Sequence, residues 1–205
     1  SELLDDAVRE LSRLPGIGRR TALRLTLHML RMDEEEVRRM TAAIDRFRSD
    51  IKYCARCNNL SDSDVCTICS DPSRDRSVVC VVEQVGDVLS IENTRITGRN
   101  PRQYNGLYHV LGGVISPMQG IAPSDLKIDL LLENIEKGGV KEVILAMSTT
   151  VEGETTLFYI TRRLARFPDL KVTNIARGIG FGDEIEYADE LTIAHALHNR
   201  TPVSR

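Results

Sequence analysis

The chain has 205 residues, of which 41% are hydrophobic and 4% aromatic, and its formal net charge is −3. This length accommodates one or two domains with a small insert, and the slightly acidic balance means that any nucleic-acid binding must come from local basic patches. No apolar run approaches the ~20 residues that cross a bilayer and no cleavable leader is visible, so we expect a cytoplasmic protein in a reducing environment with no membrane partner.

The first thirty residues predict two helices joined by a tight turn. Over residues 1–13 apolar side chains recur at intervals of three and four, which is typical of an amphipathic helix; they are Leu3, Leu4, Ala7, Val8 and Leu11. The pattern breaks at the sequence LPGIG, residues 14–18, and a second helix is predicted to begin at Arg19. The residues expected to face its core are Ala22, Leu23, Leu25, Leu27, Met29 and Leu30.

The turn between these helices has the features of a phosphate-binding site. Gly16 and Gly18 leave backbone N–H groups unobstructed at a helix N-terminus, where the helix dipole also favours an anion. Arg19, Arg20 and Arg24 add positive charge, and Arg20 and Arg24 share one helix face. The pattern favours a helix-hairpin-helix element that contacts the DNA backbone without reading bases. The alternative is an αα-hairpin whose glycines only allow close packing.

Residues 33–48 predict a third helix. Asp33 begins it, and three glutamates in the first turn complement the helix dipole. The side expected to be buried carries Val37, Met40, Ile44 and Phe47.

Four of the five cysteines lie between residues 54 and 69 as two CxxC pairs. Cys54 and Cys57 are separated from Cys66 and Cys69 by eight residues. Two such pairs can place four thiolates tetrahedrally around one zinc ion, with no position left for a catalytic water. We predict a structural zinc site on this spacing. The alternatives are two disulfides, which suit small secreted chains better than this one, or four unrelated thiols.

From residue 77 onward the sequence alternates between predicted strands and helices. The strands are expected at residues 77–83, 140–148 and 170–178, and the helices at residues 126–135 and 155–167. This order predicts right-handed crossovers and a mostly parallel sheet. Cys80 lies inside the first, valine-rich strand and is expected to be a packed core thiol.

Three glutamates are expected at the carboxyl ends of two of these strands. Glu83 closes the first strand, and Glu152 and Glu154 are expected in a turn after the second. Ligand sites of open α/β sheets form at this edge, so the three carboxylates are a candidate Mg²⁺ site with the layout of a Toprim domain. The alternative is that they are solvated or cap the following helix.

Taken together, these segments make the chain similar to the RecR family of bacterial recombination mediators. The similarity extends over almost the whole sequence, through LPGIGRRTALRL, the four cysteines followed by DPSRD, VVCVVE, GLYHVLGGVISPMQGIAP, EVILAMSTTVEGETT and IARGIGFGDEIEYADELT. The resemblance implies a multidomain α plus α/β fold. Its expected parts are a helix-hairpin-helix region at 1–53, a four-cysteine zinc finger at 54–76, a Toprim domain at 77–174, and a C-terminal oligomerisation segment with a Walker B-like motif at 175–205.

The resemblance also implies a role without catalysis. Members of the family act with RecO, and in some pathways RecF, to load RecA onto single-stranded DNA that is covered by single-strand-binding protein. They form a ring-like tetramer able to encircle single- or double-stranded DNA, which implies a nucleoid-associated location. Arg20 and Arg24 match the family's DNA-contact positions. Glu83, Glu152 and Glu154 match its Toprim carboxylates, which are associated with RecO docking; one structural zinc per chain is implied, with Mg²⁺ as a candidate.

Two segments depart from the family pattern. Residues 93–106 form a longer connection with Arg95, Arg99 and Arg102, which is either a DNA-contacting loop or a solvated insertion. Near the C-terminus, Gly180, Phe181 and Asp183 replace more common residues of the Walker B-like motif. No Walker A glycine-lysine loop accompanies this motif, so we do not expect ATP hydrolysis by the chain alone.

The competing class is an enzyme. A Mg²⁺-dependent Toprim nuclease or phosphotransferase would use Glu83, Glu152 and Glu154, but none of the tyrosines lies in a recognisable topoisomerase context. His195 and His198 have a spacing that can bind metal, with no third ligand in the sequence.

Overall fold

The structure is a computed structural model that describes residues 1–94, 104–180 and 182–199. The chain divides into two compact units, Ser1–Ile51 and Lys52–Arg205. The predicted basic loop with Arg95, Arg99 and Arg102, and also Phe181, lie outside the described residues. None of the described helices is long and apolar enough to cross a bilayer.

The first unit consists of three helices, α1 (Glu2–Leu11), α2 (Arg19–Met29) and α3 (Glu34–Asp50). Between α1 and α2 the chain turns through Gly16, whose φ of 79° lies in the left-handed region that glycine adopts without a Cβ penalty. Gly18 is the N-cap of α2, as the sequence predicted for a helix that begins at Arg19. The two helices are in contact, and their buried residues are Val8 and Ala22.

The predicted burial of the first unit is wrong at several positions for a single chain, whereas Leu25, Met29, Val37 and Met40 are half-buried. No residue of α3 is buried, and Ile44 and Phe47 are 63% and 58% exposed. On α2 only Ala22 is buried, whereas Leu23 and Leu27 are exposed, as is Leu30 after the helix. About fifty residues are too few to enclose the apolar faces of three helices, so much of that surface remains open.

The second unit begins with a small metal-finger fold that leads into the sheet. Two short strands, β1 (Lys52–Tyr53) and β2 (Leu60–Ser61), pair antiparallel around the first CxxC turn. A single helical turn, α4 (Thr67–Ser70), carries the second CxxC pair. The chain then enters the first strand of the main sheet.

Four parallel strands form the main sheet, in the order β4-β3-β5-β6, which confirms the predicted mostly parallel α/β fold. Their bounds are β3 (Asp75–Val82), β4 (Gly106–Val110), β5 (Glu142–Ala146) and β6 (Lys171–Asn174). The helices of this unit after the finger are α5 (Val85–Glu92), α6 (Ile128–Glu136), α7 (Val151–Leu164) and α8 (Glu190–His198). Three short 3₁₀ turns are Pro117–Gln119, Pro123–Asp125 and Ile185–Tyr187.

Alternate residues of β3 face two separate apolar cores. Val79 and Val81 belong to a core that includes residues of β5, α6 and α7, whereas Cys80 and Val82 belong to one that includes Val88 of α5. This alternation follows from the two-residue period of a strand and explains the continuous valine run. Cys80 is buried, as expected of a core thiol, and desolvation raises its pKa to about 12.

A buried ionic contact holds α5 against the sheet. Arg74 is 3% exposed, and its Nη1 and Nη2 donate to the two carboxylate oxygens of Glu92 at 2.9 and 2.6 Å. The Tyr108 hydroxyl of β4 donates to the same carboxylate at 2.7 Å. The hydrogen bonds with Glu92 raise the pKa of Arg74, so the pair stays ionised.

The side chain of His109 makes folding sensitive to mild acid. It is 1% exposed, and its Nε2 lies 2.7 Å from the carbonyl oxygen of Lys127. A carbonyl oxygen only accepts, so Nε2 carries the proton and the neutral ring is the stable form. Desolvation lowers the pKa of His109 to about 4, from 6.5 in the unfolded chain.

We therefore expect stability to fall as the pH drops from about 6.5 toward 4. In that window the unfolded chain binds a proton that the folded chain excludes. The free energy of unfolding therefore falls by about 2 kcal/mol between about pH 7 and 5. His109→Gln keeps an N–H donor without the titrating ring, so urea unfolding at both pH values should show a smaller difference for the variant. An unchanged difference would assign the acid sensitivity to other groups.

Candidate functional site

The four clustered cysteines form the most tightly organised candidate site. Their sulfur atoms all lie within 4.8 Å of one another, and all four residues are buried. The backbone N–H of Cys66 donates to Cys54 Sγ at 3.3 Å, and that of Cys69 donates to Cys66 Sγ at 3.4 Å. Asn58, which directly follows Cys57, adopts a positive φ of 60°. This backbone conformation lets the first CxxC turn close. The spacing of the four cysteines thus brings their sulfur atoms together at one point, as predicted.

The chemistry of this cluster fits zinc better than the alternatives. All five cysteines are free, and Cys57 Sγ lies 3.6 Å from Cys66 Sγ, far beyond the ~2.05 Å of a disulfide. The hydrogen bond from the Cys57 thiol lowers the pKa of Cys66, whereas that shared proton, followed by contact with Cys69 and burial, raises the pKa of Cys57. Only a cation lets several adjacent thiols ionise together, and N–H···S bonds are the usual support of zinc thiolates.

The zinc finger is hydrogen-bonded to the edge of the main sheet. The N–H of Val110 donates to the Cys57 carbonyl at 2.8 Å, and Asn58 Nδ2 donates to the Val110 carbonyl at 2.9 Å. From α6, Asn134 Nδ2 donates to the Arg56 carbonyl at 2.6 Å. The cluster therefore fixes the finger and the end of β4 together, which is a structural function.

The predicted DNA contacts lie at the start of α2. Arg20 and Arg24 are exposed one turn apart and line a surface cavity of about 370 Å³; its other lining residues are Leu23, Leu27, His28 and Arg31. Arg19 is 85% exposed and lies 3.8 Å from Asp5 of α1, a weak ion pair in solvent. No acidic residue lies in the first turn of α2, so its N-terminal N–H groups and arginines together present positive charge.

The structure places Glu83 at the end of β3 as predicted, and two of the three candidate carboxylates differently from the prediction. Glu83 follows β3, and its Oε1 accepts from the backbone N–H of Ser148 at 2.6 Å. Glu152 and Glu154 do not lie in a turn but in the first turn of α7, which begins at Val151 rather than at residue 155. Thr150 is the N-cap, and its hydroxyl accepts from the Gly153 N–H at 3.1 Å. A Thr N-cap with acidic residues behind it favours a helix that starts earlier.

Gly153 explains the Glu-Gly-Glu pattern. The backbone of α7 passes so close to the end of β5 that a Cβ at residue 153 would overlap the carbonyl oxygen of Ser148. The glycine thus brings the first turn of α7 against the carboxyl end of β5.

The ligand atoms of these three carboxylates do not all lie within 4.8 Å of one another. Among the described residues, the four cysteines are the only set of three or more metal-ligating side chains with ligand atoms within 4.8 Å. Glu83 is bonded to Ser148, and Glu154 forms an ion pair with Nη1 of Arg177. Among the described residues, neither His195 nor His198 belongs to such a set of metal-ligating side chains.

Arg177 is a site residue that the sequence analysis did not single out. It follows β6, inside the quoted segment that begins IARG, and it reaches the first turn of α7. Nothing in local sequence pairs it with Glu154, since the two residues meet only through the order of β5 and β6 in the sheet.

The Walker B-like segment forms a tight turn followed by α8. Asp183 N–H donates to the Gly180 carbonyl at 3.1 Å, and Gly182 has a φ of 90°. Asp189 is the N-cap of α8 and accepts from the backbone N–H of Thr192 at 2.9 Å.

Comparison with known families assigns each part of the chain. The matching family models are the RecR helix-hairpin-helix at residues 4–47, the RecR four-cysteine zinc finger domain at 51–71, the Toprim domain at 77–176 and the RecR C-terminal region at 178–201. Together with the sulfur cluster and the parallel sheet, they define a multidomain protein that combines a helix-hairpin-helix unit, a four-cysteine zinc finger and a Toprim domain.

Full-length relatives give the family. Recombination protein RecR of Parabacteroides distasonis is 53% identical over 201 residues, which cover 98% of this chain and 93% of that protein. Recombination protein RecR of Porphyromonas gingivalis strain W83 is 53% identical over 204 residues, covering 100% and 95%. The protein of that name from Flavobacterium johnsoniae is 47% identical over 205 residues, covering 100% and 96%. The chain belongs to the RecR family.

Proposed function

We propose that this protein is a DNA-binding recombination mediator that acts with RecO and RecF to load RecA onto single-stranded DNA covered by single-strand-binding protein. The observation that carries the proposal is the exposed basic start of α2, where Arg20 and Arg24 stand one turn apart beside uncapped N–H groups. Such a surface binds phosphates without reading bases, as a mediator on arbitrary sequence requires.

Assembly into a ring is the second part of the proposal. One hairpin offers few phosphate contacts, so several copies on one ring act as linked sites with much higher avidity. Exposed apolar side chains support pairing at both ends of the chain. In the first unit they include Leu27, Leu30, Ile44 and Phe47, and near the C-terminus Ile185 and Tyr187. A homotetramer would cover such side chains.

The division of labour follows the expected domains. Residues 1–53 bind DNA, 54–76 hold zinc, 77–174 form the Toprim domain and 175–205 pair subunits, in a nucleoid-associated cytoplasmic protein. Glu83, Glu152 and Glu154 serve to dock RecO rather than to hold Mg²⁺. Two of the three already have protein partners, which supports docking over metal binding.

A reconstituted loading assay tests this function. RecA is added to single-stranded DNA covered by single-strand-binding protein, with RecO and with or without this chain, and DNA-dependent ATP hydrolysis by RecA is followed. We expect the lag before hydrolysis to shorten when the chain is present. An unchanged lag across a range of chain and RecO concentrations would contradict a mediator role.

The Toprim match supports one alternative function for the chain, that of a Mg²⁺-dependent nuclease or phosphotransferase. Incubation of single-stranded and duplex DNA with the chain and Mg²⁺ discriminates the two. Cleavage that disappears in Glu83→Gln would favour the enzyme; intact DNA together with RecA loading favours the mediator.

A further inference from the structure

A cavity of about 690 Å³ lies at the carboxyl ends of β5 and β6, beside α7 and α8. Its apolar wall includes Met147, Ile175 and Leu191, of which Ile175 and Leu191 are exposed. Arg177 lines the same cavity, and Glu154 and Asp189 lie at it too. Open α/β sheets bind their ligands at this edge.

Arg177 has an unused hydrogen-bonding edge in this cavity. Its side chain is only 16% exposed and its Nη1 pairs with Glu154. Its Nε and Nη2 are buried, and neither has a hydrogen-bond acceptor among the described residues. These two N–H groups lie side by side on the guanidinium and form the fork that matches two oxygens of one oxyanion. Leaving two charged donors buried without acceptors is costly, so a ligand that supplies both oxygens is favoured.

We propose that this edge of Arg177 is a binding site for a single carboxylate that is flanked by an apolar side chain. A planar carboxylate offers two oxygens at the spacing of the fork. The apolar wall formed by Ile175 and Leu191 suits a neighbouring aliphatic side chain.

The local charge favours a carboxylate over phosphate. Glu154 already pairs with the one guanidinium, and hydrogen bonds from Thr192 lower the pKa of Asp189, which keeps that carboxylate ionised. The cavity thus carries two carboxylates for one arginine, with His195 as the other titratable residue of its lining. A phosphate dianion or a DNA strand would meet more repulsion from the carboxylates than a monoanion. An acidic residue next to an aliphatic one in a partner protein fits these features.

This inference is separate from the docking role proposed for the three glutamates, because here the partner protein supplies the carboxylate. It assigns the direct contact to Arg177, with Glu154 as the residue that positions the guanidinium. The binding test below uses neither DNA nor RecO, so its failure leaves the DNA-binding proposal intact.

The test follows the Nε–H resonance of Arg177 in the zinc-loaded full chain labelled with ¹⁵N-arginine, assigned by its loss in Arg177→Lys. The probes are sodium acetate, sodium phosphate, the blocked dipeptide N-acetyl-leucyl-aspartic acid amide and its asparagine counterpart, at matched ionic strength. We expect a saturable shift with acetate, tighter binding of the aspartic acid peptide, and no saturable shift with the asparagine peptide. The Nε–H of Arg74 is also buried without an acceptor, but both of its Nη atoms are bonded to Glu92, so no fork is open there; it is the internal control and should not shift.

The variant Glu154→Gln provides a second test of the proposal. It removes a competing charge while keeping a hydrogen-bond acceptor for Arg177, so the peptide should bind about fivefold more tightly. A weaker complex in this variant would overturn the proposal, because it would mean that Glu154 itself attracts the ligand. Tighter binding of phosphate than of acetate, equal binding of both peptides, or no saturable shift at Arg177 would each overturn it as well. If free acetate binds and the aspartic acid peptide does not, the inference that a partner protein supplies the carboxylate is wrong.

Discussion

Replacing Arg20 and Arg24 together by glutamate is expected to abolish DNA binding while folding and zinc content remain unchanged. Both side chains are exposed on one face of α2, so their replacement disturbs no packing. Each arginine that contacts a phosphate releases counterions, and the slope of log K against log salt on duplex DNA falls by about one for each lost contact. We expect affinity at moderate salt to drop by about a hundredfold or more, because glutamate also repels the backbone.

Fluorescence anisotropy with labelled single-stranded and duplex DNA at several salt concentrations measures this effect. The matched control is Arg9→Glu with Arg13→Glu, which makes the same charge change on α1 and just after it. There the arginines pair with Asp6 and Glu10 at 2.6 and 2.8 Å. A double variant at Arg20 and Arg24 that binds like the parent chain, or a control that loses binding equally, would assign DNA contact to another surface or to net charge.

Cys66→Ser should remove the zinc and unfold the finger. Cys66 is central to the cluster, since its sulfur accepts from the Cys69 N–H and lies 3.6 Å from the Cys57 sulfur. A structural zinc site of this kind contributes on the order of 10 kcal/mol, more than most domains have in reserve. Because the finger is hydrogen-bonded to Val110, we expect lower folding yield of the whole second unit. The same result is expected for Cys54 or Cys69.

The measurement combines zinc quantification with thermal unfolding of the same sample. Cys80→Ser is the matched control, because Cys80 is equally buried but lies in the apolar core beside Val82 and Val88. It should keep one zinc per chain and lose about 1–3 kcal/mol from burying a hydroxyl. A Cys66→Ser chain that unfolds at the parent temperature after treatment with a chelator would show that the cluster does not support the fold.

Local patterns were sufficient where the chemistry is carried by neighbouring residues. The two CxxC pairs predicted the sulfur cluster, and the Gly16 to Arg19 turn predicted where α2 begins. The valine run predicted β3 because a strand buried on both faces needs apolar residues at every position.

Features that depend on distant contacts were missed. The sequence analysis identified neither α5 nor β4; α5 has only eight residues, and β4 buries Tyr108 and His109 through partners far along the chain. The start of α7 at Val151 depended on the Thr150 cap. The pairing of Arg177 with Glu154 depended on strand order, which periodicity does not give.

The burial of α2 and α3 was misjudged for another reason. Amphipathic spacing shows which side of a helix is apolar but not what covers it. In this chain Ile44 and Phe47 remain open within their own unit, so the pattern is satisfied only by a further surface.

The bonds between the finger and Val110 also bear on aggregation. β4 is an outer strand of the sheet, and the backbone groups of Val110 that point away from β3 are taken up by Cys57 and Asn58. Loss of the metal would therefore expose the edge of the sheet, which could then pair with strands of other molecules. In cells short of zinc, we therefore expect this protein to aggregate through that edge.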